Sequence, residues 1–153
     1  MAYRVFISYS SKDLPVVHYV TKLLATVPGV EWFVAEYSVA PGQPLASDII
    51  EAIKACNLFL LLWSRNSGQS EWVPQEIGVA RGHNKHIVPV VLEPGLKPPG
   101  FIAGLKYLPA YADSGWPAAL QQLVTAGAQK QQQTQALLVL LGGGLALWAL
   151  SQK

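Results

Sequence analysis

Apolar residues fall along the chain in short runs that switch between the period of a strand and that of a helix. Tyr3 to Tyr9 is mostly apolar and rich in β-branched and aromatic types, and it ends in Ser10-Ser11-Lys12-Asp13, a polar stretch suited to capping a helix. From Leu14, the residues Val16, Val17, Val20, Leu23, Leu24 and Val27 recur at the three-and-four spacing of one helical face, and Pro28-Gly29 ends it. Val30 to Ala35 predicts a second strand. Glu36 to Pro44 is a loop holding two prolines and Gly42, and Leu45, Ile49, Ala52, Ile53 and Cys56 mark a second helix.

Leu58 to Trp63 is unbroken apolar sequence, the pattern of a strand covered on both faces, and it predicts the centre of a parallel sheet. Arg65 to Gln69 reads as a polar loop, Ser70 as the cap of a helix from about Glu71 to Arg81, and Ile87 to Leu92 as a fourth strand. Pro89 inside that strand removes a ladder donor, which places it near an edge or at a bulge. Pro94 to Gly104 is loop-like, Leu105 to Tyr111 is a candidate fifth strand, and Pro117 to Ala128 a last helix. Strand and helix alternate throughout, so the expected fold is α/β: a doubly wound, flavodoxin-like parallel sheet of four to five strands with helices on both faces. The division expected is a domain over residues 1–128, a glutamine-rich linker over 129–135 and an apolar helix over 136–150.

Composition narrows the function. A hydrophobic fraction of 51% with 13% charged residues fits one folded unit, and eleven Lys and Arg against nine Asp and Glu are scattered, so no nucleic-acid partner is expected. The single cysteine, Cys56, cannot form an internal disulfide and reads as a small buried residue in a reducing compartment. Met1 leads directly into Arg4-Val5-Phe6-Ile7 without the features of a signal peptide, so a cytoplasmic domain is expected. His83 and His86 have no cysteine or carboxylate close in sequence, so no metal is expected. Gly142-Gly143-Gly144 has no following Lys-Ser or Lys-Thr and is not a phosphate loop.

In an open parallel sheet, ligands bind beyond the carboxyl ends of the strands, where the winding reverses. The loops to consider are Ser8 to Asp13, Ala35 to Pro44 and Ser64 to Ser70, and the helix after the last carries Trp72 and Glu76 one turn apart. With Val73, Ile77 and Ala80 as its core stripe, that helix would present Trp72 and Glu76 on a flank beside the crevice. A carboxylate there suits cleavage of an N-glycosidic bond to nicotinamide, which departs neutral and leaves an oxocarbenium-like ribose to be stabilised by charge. By pattern alone, a surface glutamate paired with a lysine or arginine is the commoner occurrence.

The run Arg4-Val5-Phe6-Ile7-Ser8-Tyr9-Ser10-Ser11-Lys12-Asp13 resembles the first conserved box of TIR (Toll/interleukin-receptor) domains. Pro41-Gly42 resembles the turn of that family's BB loop, and Leu58 to Ser64 its third strand. Ser70-Glu71-Trp72-Val73-Pro74-Gln75-Glu76 resembles its Ser-x-Trp-x-x-x-Glu element, and Ile87-Val88-Pro89-Val90 its fourth strand. The resemblance implies the TIR fold and, as in its enzymatic members, NAD+ as substrate, no bound cofactor and Glu76 as catalytic residue. It further implies Trp72, Tyr9, Ser10, Ser11 and Phe33 at the substrate, and Val39, Pro41 and Gly42 in an assembly loop for self-association. Ala35, where many members are acidic, and Ser10-Ser11, in place of basic residues, depart from the family pattern. A non-enzymatic TIR interaction module is the alternative. A receiver-type domain would need clustered acids after the first strand, where only Asp13 stands.

The apolar tail is ambiguous by length. Its roughly 15 residues from Ala136 to Leu150 span about 22 Å at ~1.5 Å each, short of a hydrocarbon core of roughly 30 Å. Thinning of the bilayer or snorkelling by Lys130 and Lys153 can close part of the gap, and Trp148 near one end of a run without charge favours a membrane role over a helix that packs on the domain or self-associates through its small residues.

Overall fold

The centre of the molecule is the most apolar strand in the sequence. The computed structural model describes residues 1–35, 44–112 and 114–152, with residues 145 and 146 described by backbone alone. In it β3 (Leu58–Trp63) has every residue buried and lies third in a five-stranded sheet of order β2-β1-β3-β4-β5. The other strands are β1 (Tyr3–Ser8), β2 (Val30–Val34), β4 (His86–Val91) and β5 (Leu108–Pro109), and all neighbouring pairs are parallel. β1 and β3 register through Val5 with Leu58 and Ser8 with Leu61.

Strand alternation sorts side chains into two cores. Val5, Ile7, Leu58, Leu60 and Leu62 pack with α1 (Leu14–Ala25) and the start of α5 (Trp116–Ser151) through Val17, Val20, Leu24, Leu120 and Val124. Phe6, Phe59, Leu61 and Trp63 pack on the other face with α2 (Ser47–Ala55) and α4 (Val73–Gly82) through Ile49, Ile53, Val73 and Ile77. The sheet is thus doubly wound, as its alternating pattern predicts. Gly29, at φ +76°, makes the left-handed turn into β2 that a side chain would strain, and its carbonyl accepts from the Tyr3 N–H.

Three expectations change. Residues Arg65–Gln69 form a short helix, α3, because Ser64 and Ser67 cap each other's backbone reciprocally. The fifth strand is only Leu108–Pro109, joining β4 at Val90 and Val91. Pro89 therefore precedes the paired residues, where β4 is still the sheet edge and a missing donor is harmless. Finally, the glutamine-rich stretch 129–135 is helical and continuous with both neighbours. Glutamine is a good helix former, and no proline or glycine interrupts that stretch.

Candidate active site

The strand order reverses direction between β1 and β3, so the crevice lies between the loops that follow them. Those loops carry Ser10, Ser11 and Lys12 on one side and Asn66, Gln69, Ser70 and Trp72 on the other, around a cleft of about 220 Å3. Asp13 ties the two together: its carboxylate accepts from Ser64 Oγ at 2.5 Å and from Asn66 Nδ2 at 2.9 Å. Ser67 completes the support by donating to the Leu62 carbonyl at 2.6 Å. Sequence reasoning saw Asp13 as part of a motif but missed Ser64, Asn66 and Ser67. The Ser-x-x-Ser spacing at the end of an apolar strand was the available signal.

Behind this cleft α4 begins. Ser70 Oγ accepts from the Val73 N–H at 3.3 Å, and Pro74 occupies the first turn, where its missing N–H costs nothing. Val73, Glu76, Ile77 and Ala80 are all fully buried. Glu76 was expected on a flank beside the crevice; it lies instead within the buried stripe, at the i+3 position that the spacing of its neighbours requires. The Ser8 hydroxyl, at the carboxyl end of β1, donates to Glu76 Oε1 at 3.0 Å. A desolvated carboxylate costs several kcal/mol. That hydrogen bond and a place in the first turn of α4, at the positive end of the helix dipole, offset part of it.

The structure gathers some of the anticipated substrate residues and separates others. Ser10, Ser11 and Trp72 share the cleft. Glu76 sits one turn beyond Trp72, whose carbonyl accepts the Glu76 N–H at 2.9 Å. Tyr9 turns to the opposite face of the sheet, where it is buried and its hydroxyl donates to the Ala35 carbonyl at 2.6 Å. It pins the end of β1 to the end of β2. Phe33 stacks on Phe6 with centroids 5.5 Å apart and borders a separate cavity of about 300 Å3 beside Trp32, Ala52 and Cys56. Val39, Pro41 and Gly42 lie outside the described residues. Burial pushes the Cys56 thiol up from its ordinary range, and it sits at the far end of α2, away from the cleft.

Chemically, the cleft offers hydroxyls, two carboxamides, one ammonium and an indole, with the Asp13 carboxylate tied between its walls and that of Glu76 behind it. Its volume is below the roughly 300–1,000 Å3 usual for small-molecule sites. A dinucleotide would overfill it.

The TIR domain family profile matches residues 5–124. Among solved structures, the TIR domain of the Toll-related receptor TRR-2 from Hydra magnipapillata is 22% identical. It aligns over 78% of this chain and 96% of its own with a TM-score of 0.63. The TIR domains of the activated Roq1 resistosome directly recognising the pathogen effector XopQ are 18% identical over 84% of each chain, at a TM-score of 0.52. A flavodoxin-like domain from Synechococcus sp. is 15% identical over 87% of this chain and 99% of its own, at 0.50. No curated protein sequence matches the chain.

Proposed function

The chain belongs to the TIR domain family, and from that premise we propose that it is an NAD+ glycohydrolase with Glu76 as catalytic carboxylate. The observation that carries this reading is a fully buried glutamate, held by Ser8 at 3.0 Å, at the switch point of the sheet. An ordinary helix position would take leucine there and save the desolvation. In the proposed reaction the C1′–N bond of the nicotinamide riboside breaks and its electron pair leaves with neutral nicotinamide. The carboxylate stabilises the oxocarbenium that remains. Water then bonds to C1′ and releases a proton to solvent to give ADP-ribose, or a nucleophile within the same molecule bonds to C1′ instead and gives a cyclic isomer. Trp72 shapes the nicotinamide wall and Ser10 and Ser11 supply hydroxyls, while Tyr9 acts by holding the Ala35 backbone. The setting implied by the family is immune-type defence signalling.

The small cleft supports a site completed by self-association. The TIR domains of Roq1 belong to a resistosome, and we carry that tendency to assemble over to this chain. The second reading, a TIR scaffold without catalysis, is favoured by one observation: Glu76 is not among the residues that line the cleft.

The end of α5 is read as a membrane anchor. Leu137, Leu138, Val139, Leu140 and Leu141 are each more than half exposed, and five consecutive residues cover every side of a helix. A helix that is apolar all round suits lipid better than a partner packed on one face. Residues 131–135 are held against the domain by Gln131 and Gln135, so the apolar span is residues 136–150, about 22 Å of helix, which a locally thinned bilayer accommodates.

Nicotinamide release, followed by chromatography with the full chain at rising surface density on liposomes, separates the two readings. Turnover that climbs with density supports the assembled enzyme. Its absence at every density selects the scaffold.

A further inference from the structure

α5 is fastened beneath the sheet before it leaves the domain. A Cβ added to Gly127 would stand 2.5 Å from the Tyr3 ring, so helix and strand touch there. The Gln131 side-chain amide donates to the Ala2 carbonyl at 2.8 Å. Both contacts lie at the amino end of β1, about 17 Å along the strand from Ser8. The apolar segment therefore projects from the side of the domain opposite the cleft.

The floor of the sheet and this helix border an open cavity of about 710 Å3. Arg4 from β1, His86 from β4 and Lys130 from α5 all line it, and no aspartate or glutamate is among the described lining residues. Asn57 joins them with its carbonyl oxygen committed to the Arg4 N–H at 2.8 Å, so its amide NH2 is what it offers an anion. Arg4 Nε meets Glu31 at 3.9 Å in an exposed pair, and the terminal guanidinium nitrogens remain suited to a second anion. Lys130 precedes Ala136 by about 9 Å of helix, and a headgroup layer is roughly 5–7 Å deep on each side of the hydrocarbon. With residues 136–150 in the hydrocarbon, the lower rim of the cavity at Thr134 and Gln135 stands at headgroup level, and Lys130 stands at the outer edge of that layer.

We propose that this cavity binds the phosphate of an anionic phospholipid from the leaflet in which α5 is embedded. The proposal rests on the membrane reading of α5. Free phosphate shares the chemistry, but only a lipid also places its acyl chains along the exposed leucines that begin two turns beyond Lys130. The bound lipid would fix the domain's height and tilt, holding the cleft edge away from the membrane and open to neighbouring copies.

The test uses the full chain in micelles containing equimolar phosphatidylglycerol and phosphatidylcholine, with bound lipid read by native mass spectrometry. In parallel, carbonate-resistant sedimentation with vesicles reports anchoring. Wild type is expected to favour phosphatidylglycerol by about fivefold for each engaged cation. The exposed-site variant Arg4→Gln/Lys130→Gln falls toward parity with anchoring unchanged. Equal binding of the two lipids by an anchored wild type overturns the headgroup site alone. Full displacement of phosphatidylglycerol by inorganic phosphate overturns the lipid assignment. Loss of the chain to the carbonate wash overturns the membrane reading itself.

Discussion

Ser8 Oγ donates to Glu76 Oε1 across 3.0 Å, joining the last residue of β1 to the first turn of α4 with both side chains fully buried. The relationship predicts an asymmetry. Ser8→Ala removes a donor from a buried carboxylate and is expected to cost about 1.5–3 kcal/mol. Glu76→Gln keeps an acceptor for Ser8 and lowers the cost of burying the carboxylate, so it should be more stable than Ser8→Ala. Urea midpoints at neutral pH check both, and a glutamine variant less stable than Ser8→Ala would contradict the assignment of the charge as a cost.

Asp13 joins the loops after β1 and β3 through Ser64 and Asn66. Asp13→Ala leaves two partly buried donors without their acceptor and is expected to cost roughly 2 kcal/mol. Amide exchange should quicken in α3 while the α1 core stays protected. Uniform loss of protection would show that the carboxylate supports the whole fold rather than the cleft wall.

Gly127 has room for no side chain against the Tyr3 ring. Gly127→Ala gains helix propensity but must displace a buried aromatic, for a net loss of about 1–2 kcal/mol. Tyr3→Leu should relieve part of that loss in the double variant, a coupling that thermal melts of the four-member cycle measure. Additive effects would place the helix further from β1 than the contact implies.

Burial raises the Cys56 thiol above its ordinary value of 9.0 and the Tyr3 phenol above 10.0, with Cys56 charge a smaller cause for the latter. The folded chain then holds protons that the unfolded chain releases. The stability contribution is complete below the unfolded value and is lost as pH rises through the folded one. Melting temperature should fall from about pH 9 upward, and Cys56→Ala should flatten the first part of that fall. A melting curve that is level from pH 8 to 10 would contradict it.

The sequence pattern reads β1, β3 and the two cores well because buried parallel strands and amphipathic helices leave distinct periods. It reads Glu76 less well. Residues 73, 76, 77 and 80 form an i, i+3, i+4, i+7 stripe, but a charged residue is discounted from a hydrophobic stripe by its type, so only coordinates show that it is inside. Tyr9 and Ser10 share one motif yet face opposite ways, since they follow β1 in the direction of its extended backbone, where neighbours alternate. The helical course of residues 129–135 was hidden for the reverse reason: glutamine runs look like linkers by composition while their backbone preference is helical.

The most direct test of the central claim is nicotinamide release from NAD+ by wild type and Glu76→Gln, assembled at equal density on liposomes and with matched melting temperatures. Loss of a charge aimed at the transition state predicts a fall of about a hundredfold or more. Equal turnover by the two proteins would contradict the assignment of Glu76 as the catalytic carboxylate.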